Sequence, residues 1–159
     1  MPHDRAPSGT AAAPPKLGPA RTERLRLAAL PSAPGTARRF TTDLLSTWNL
    51  RALVADCGLV VSELVTNSVN HTGRPAPADY ADLYDHTPAT IALQLSYTGA
   101  ILLVEVWDHS EERPVRRHPG AAEESGRGLL LVEALTTAWG HCPAEQGGKV
   151  TWACWNTAS

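Results

Sequence analysis

A carboxylate and two carboxamides, Glu63, Asn67 and Asn70, are spaced four and three apart in the run Leu59-Val60-Val61-Ser62-Glu63-Leu64-Val65-Thr66-Asn67-Ser68-Val69-Asn70-His71. At 100° per residue they fall within about 60° of one another on a helix, beside the edge that carries Val60 and Leu64. Polar groups at the margin of a buried face need partners, and a carboxylate there is costly unless something satisfies it. A ligand carrying a cation is one such partner. An ordinary amphipathic helix whose polar face begins at Glu63 accounts for the same spacing.

Two further places carry candidate chemistry. Asp108 follows the apolar run Ile101-Leu102-Leu103-Val104-Glu105-Val106-Trp107. Strand parity puts it on the same face as Leu102, Val104 and Val106, as a half-buried hydrogen-bond acceptor or as the cap of a turn. Ser125-Gly126-Arg127-Gly128-Leu129 leads into an apolar helix. Glycines at a helix entrance expose free N–H groups at the positive end of the helix dipole and let a phosphate approach closely. Between these two places, Arg113, Arg116, Arg117 and His118 make a basic segment, read as a solvated loop or as a lid over an anionic ligand.

The elements that must position these groups follow from periodicity. Leu53, Cys57, Val60, Val61, Leu64 and Val65 form a helical stripe over about 52–71, closed by Gly73. A helix over about 34–48 precedes it, with Ser32 as its cap, Pro34 in the first turn and Asn49-Leu50 at its end. Leu25, Leu27 and Ala29 alternate with polar residues as a short edge strand. Ile91–Ser96 and Ile101–Trp107, joined through Gly99, read as a hairpin. Thr136–Gly140 and Val150–Trp155 read as strands around a Gly147-Gly148 turn, with Val150, Trp152 and Cys154 on one face and Thr151, Ala153 and Trp155 on the other. Residues 74–89 form a long connection in which Tyr80 and Tyr84 share a helical spacing. The layout is an α+β, two-layer α/β sandwich: three helices on one face of a mostly antiparallel, mixed sheet of about five strands.

Composition bounds the function classes. The chain has 159 residues, 43% of them hydrophobic and 19% charged, which fits one globular domain. Residues 1–23, rich in Pro, Ala and Gly, read as a disordered leader, and 24–156 as the domain. A net charge of −2 carries no nucleic-acid footprint. No apolar run reaching the ~20 residues of a membrane span is evident, and no signal peptide, so the cytoplasm is the expected compartment. Cys57, Cys142 and Cys154 lack the paired spacing of a disulfide scaffold or a zinc site, and Cys57 reads as core. His71, His86, His109 and His118 lack metal-ligand spacing and read as surface residues.

Taken in order, Glu63-x-x-x-Asn67, Asp108 and Gly126-Arg127-Gly128 resemble the Bergerat-type ATPase fold of gyrase, histidine-kinase and MutL-like proteins. Val60–His71 looks like the N-box of its anti-sigma-factor serine kinases, a small stand-alone branch. The resemblance covers about residues 24–156. It implies ATP and Mg²⁺ as cofactors, with Glu63 as general base and Asn67 as a Mg²⁺ ligand. It further implies Asp108 as the acceptor for the adenine amino group and Gly126, Arg127 and Gly128, followed by Leu129, around the phosphates. Asn70 would lie near the phosphates, and Thr151 on the last strand would face the adenine.

The chain departs from the family pattern after Asp108. Where Asp-x-Gly-x-Gly is common, it reads Asp108-His109-Ser110-Glu111-Glu112. The implied function is an anti-sigma-type protein-serine kinase that sequesters a sigma factor and phosphorylates a small antagonist protein, with homodimers frequent in the family. The alternative is a nucleotide-responsive interaction module that transfers nothing.

Overall fold

The computed structural model describes residues 11–72, 89–109, 124–145 and 147–158, with the backbone alone for 124–127. Strand β1 (Arg21–Ala28) leads to helix α1 (Ala33–Thr47). A 3₁₀ turn (Arg51–Leu53) runs into helix α2 (Val54–Thr72), followed by strands β2 (Thr90–Tyr97) and β3 (Ile101–Asp108). Helix α3 (Glu124–Leu135) and strands β4 (Ala138–Pro143) and β5 (Lys149–Asn156) complete the described elements. The five strands form one open sheet in the order β1-β2-β3-β5-β4, and every pairing among them is antiparallel. Gly73, the 74–89 connection with Tyr80 and Tyr84, and the basic segment around Arg113–His118 lie outside the described residues, Ala89 excepted.

The helices cover one face of this sheet, as the periodicity requires. Helix α2 lies between α1 and α3 and rests on β2 and β3. Its stripe residues Cys57, Val60, Val61, Leu64 and Val65 are all within 1% of complete burial and meet Leu102, Val104 and Val106 of β3 in the main core. By length and composition alone Arg51–Thr72 would suffice to cross a bilayer, contrary to the sequence reading. Its apolar side chains are instead packed against the two neighbouring helices and the sheet. Cys57 is buried there, and burial pushes its thiol far above the ordinary range.

The end of α1 shows how local chemistry places α2. Asn49 adopts φ +60°, a left-handed conformation that asparagine tolerates better than most residues. The Leu50 N–H then reaches back to the Leu45 carbonyl at 2.8 Å and the Asn49 N–H to the Ser46 carbonyl at 3.2 Å, the paired bonds of a Schellman end. At the other end, Ser32 occupies the cap position, but its side chain makes no capping bond.

The opposite face of the sheet carries a smaller core of Leu103, Val150, Trp152 and Cys154. Ala12 and Leu17 pack onto it. The Ala12 N–H donates to the His141 carbonyl at 2.9 Å, and Trp152 Nε1 donates to the Ala12 carbonyl at 2.8 Å. Among the described residues, part of the expected leader therefore docks on the domain, with Ala11 bridging His141 in parallel.

Candidate functional site

Glu63, Asn67 and Asn70 share one side of α2 but differ in depth. Asn70 is exposed, Glu63 is half-buried, and Asn67 is only 8% exposed. No hydrogen bond is seen for the Asn67 carboxamide among the described residues, and its oxygen is of the kind that suits a hard cation. Among the described residues no three His, Cys, Asp or Glu side chains converge as a metal site.

Glu63 meets α3. A Cβ built on Gly128 would run into the Glu63 carboxylate, so the glycine lets that carboxylate lie against the α3 backbone without swinging aside. A glycine inside a helix costs roughly 0.5–1 kcal/mol relative to alanine. Here it makes room for a charged group. Helix α3 begins at Glu124, two residues before Gly126, rather than after the glycines. The Gly128 N–H therefore lies within the helical ladder. Leu129 turns its side chain into the core at 2% exposure. The Arg127 side chain lies outside the described part.

At the far end of β3 the sequence parity holds. Asp108 faces the helices with its side chain fully buried, and its Oδ2 accepts a hydrogen bond from Ser68 Oγ of α2 at 2.7 Å. The cross-strand partner of Asp108 is Lys149. Lys149 Nζ stands 3.8 Å from the same Oδ2 and 3.0 Å from His71 Nδ1, so with the ammonium donating, Nδ1 is the acceptor nitrogen of that ring. Four side chains from the last turns of α2, the end of β3 and the start of β5 thus form one buried polar cluster. His71, expected at the surface, belongs to it.

Gly148, immediately before Lys149, has φ +78°, and a Cβ there would collide with the Asp108 carbonyl. The strand β5 can start against Asp108 because this position is glycine. Thr151 lies on the same helix-facing side, at 5% exposure, but it pairs with Val106, not Asp108. Two residues along a strand is about 7 Å. The residue that answers Asp108 across the sheet is therefore Lys149.

The structure gathers the candidates into two groups along α2. Glu63 faces Gly128 of α3, with Asn67 one turn further along α2; Ser68 and His71 face Asp108 and Lys149. Ser68, Gly148 and Lys149 were not among the sequence candidates, yet signals for them exist. Ser68 continues the buried stripe of α2 by the same steps of three and four. Lys149 shares strand parity with Thr151, Ala153 and Trp155, so a cation was due on the core side.

The comparisons bear on the same region. Residues 27–155 match the family model described as histidine kinase-like ATPase domain. No curated protein matches the chain.

Proposed function

The chain belongs to the histidine kinase-like ATPase domain family, and from that premise we propose that it binds ATP as a regulatory protein and transfers phosphate as an anti-sigma-type protein-serine kinase. The observation that carries this reading is the seam between α2 and α3. There the Glu63 carboxylate lies against the Gly128 backbone, with the nearly buried Asn67 carboxamide one turn further along α2. A base and a cation ligand one turn apart on α2, beside a second helix whose first turn offers free N–H groups, suit phosphoryl transfer.

Asn67 would hold Mg²⁺, and the N–H groups of the first turn of α3 would hold phosphate oxygens, with Arg127 adding positive charge. The bound Mg²⁺ supplies neutralisation of the charge that develops on the phosphates. Glu63 accepts the proton of a serine hydroxyl on the small antagonist protein. The serine oxygen bonds to the γ-phosphorus as the bond from that phosphorus to the β–γ bridging oxygen breaks, and ADP leaves. A sigma factor is the second partner, which the chain would sequester. The cytoplasm is the matching compartment.

The test is transfer of labelled γ-phosphate to the candidate antagonist with Mg²⁺. Glu63→Gln should lower the rate by about 10²–10⁴-fold, the usual share of a general base, with nucleotide affinity retained. Transfer by Glu63→Gln at the wild-type rate would remove Glu63 from this role.

A second reading has its own support. Asp108 is fully enclosed beside Lys149, and the glycines common after this aspartate are absent. Both features suit a nucleotide-responsive interaction module that holds ATP or ADP without transfer. Nucleotide-dependent binding of a protein partner with no phosphate moved to it would favour this reading. An ATP- and ADP-independent melting temperature would exclude both readings, since a ligand of the native state must stabilise it.

A further inference from the structure

The face of the sheet turned away from the helices carries a small apolar floor of Leu103, Val150, Trp152 and Cys154, with Trp107 beside it. The chain's own segment 11–20 lies on this floor through Ala12 and Leu17. None of residues 11–20 is buried, whereas Leu103, Val150 and Trp152 of the floor are 3%, 5% and 4% exposed. A segment open to water thus seals a floor that is not. The hydrogen bonds that hold it are made by its main chain. The Ala12 N–H donates to the His141 carbonyl at 2.9 Å, and the Ala12 carbonyl accepts from Trp152 Nε1 at 2.8 Å. Neither bond depends on the Ala12 side chain. Leu17 is the aliphatic anchor, and Pro14-Pro15 between the two favours an extended backbone.

Extended peptides dock on sheets in this manner, with main-chain hydrogen bonds for affinity and pocketed side chains for selection. We propose that this face is a docking site for an extended, proline-containing peptide of a partner protein, and that residues 11–17 occupy it in cis as a displaceable strap. What holds the strap defines the occupant: a main-chain N–H and C=O at one residue, and an aliphatic side chain further along. Opening the strap gives up the two Ala12 hydrogen bonds and the packing of an alanine and a leucine, the sparse set of contacts that opens locally. It uncovers Trp152 and its neighbours as a contiguous apolar patch, the surface feature that marks protein interaction sites. Asp108 and the helices lie on the other face, so this surface stands whether or not nucleotide binds.

The test offers the site its own strap in trans. The probe is a synthetic peptide of residues 11–20 with a fluorophore at its C-terminal end, titrated by anisotropy against full-length proteins. Wild type is compared with Ala12→Pro/Leu17→Asp, in which the cis strap has lost its donated N–H and its anchor while the floor is intact. A site closed most of the time binds with its affinity reduced by the open fraction. With the strap shut in about nine molecules of ten or more, the double variant should bind the peptide about 10-fold or more tightly than wild type. Adding Trp152→Phe, which removes the Nε1 donor, should weaken that binding about 2–10-fold, and a peptide carrying the Leu17→Asp change should not bind. Equal affinity of wild type and double variant, or binding by neither, would overturn the proposal. Should the double variant unfold at the working temperature, Leu17→Ala takes its place, and it must still bind the peptide more tightly than wild type or the proposal falls. A concentration-dependent wild-type dimer that Leu17→Asp dissolves would make a second copy's leader the occupant, and would overturn the cis strap.

Discussion

Strand β3 carries two carboxylates three residues apart, and the sheet treats them differently. Asp108 points to the helix side, fully enclosed, with a hydroxyl at 2.7 Å and an ammonium at 3.8 Å. Glu105 points to the opposite side, partly open, with the Gln94 amide at 3.5 Å. On that same face the Arg24 guanidinium lies 4.8 Å over the Trp107 ring. The strand's alternation decides the faces, and the neighbours decide the consequences. A carboxylate without solvent needs a charge partner and hydrogen bonds, and Asp108 has them from α2 and β5. A half-open one is served by water, an amide and a distant cation. An enclosed acceptor and donor joined across tertiary structure is site material; the Glu105 neighbourhood is an ordinary polar patch on a sheet.

The largest effect expected from breaking this contrast is at Asp108. Asp108→Ala leaves the Lys149 ammonium buried without its counter-charge, a change that typically costs about 3–5 kcal/mol. Denaturant unfolding should show that loss, and Asp108→Ala/Lys149→Met should recover part of it, because the stranded charge is then gone. If the double variant were no more stable than Asp108→Ala, the two groups would not be coupled and the contrast with Glu105 would collapse.

A smaller loss is expected next door, at the turn. Gly147 and Gly148 both have positive φ, +92° and +78°, but a Cβ at Gly147 meets open space whereas one at Gly148 meets the Asp108 carbonyl. Alanine in the left-handed region costs roughly 1–2 kcal/mol by itself. Gly147→Ala should show about that, and Gly148→Ala should exceed it, since the strand start must also move away from Asp108. Equal melting temperatures for the two variants would mean that the close approach contributes nothing.

What could be read from the chain, and what could not, divides along the same line. The helices, the hairpin, the Asp108 parity and the Gly147-Gly148 turn follow from periods of 3.6 and 2 and from glycine chemistry, all of which are local. The pairing of Glu63 with Gly128 and of Asp108 with Lys149 joins residues 65 and 41 positions apart, and no periodicity encodes it. The resemblance to a known family named Glu63, Asn67 and Asp108 but passed over Lys149, because it drew attention to a hydroxyl on the last strand. Register places Lys149 directly across from Asp108 and Thr151 across from Val106. The glycines were read as the entrance to α3, whereas Gly126 and Gly128 lie inside the helix, where Gly128 leaves room for the Glu63 carboxylate.

The smallest effect is expected at Glu105, and its sign is the sharpest check on the contrast. Burial raises the Glu105 carboxyl above its ordinary value of 4.5, and the Gln94 hydrogen bond and the Arg24 charge only partly oppose this. For an acid whose folded value is raised, the native state holds its proton more firmly than the unfolded chain does. The contribution is then fully present below the unfolded value and is lost as pH rises through the folded one. Wild-type stability should accordingly decline, relative to Glu105→Gln, from about pH 4.5 upward, because the glutamine has no proton to lose. The difference should stay under about 1 kcal/mol, as expected of a side chain still open to water. Melting curves of the two proteins from acid to neutral pH supply the measurement. A variant that is less stable than wild type at neutral pH would mean that the charged form of Glu105 is supported by Arg24 more strongly than burial opposes it. The two carboxylates of β3 would then be held by the same kind of force, differing only in degree.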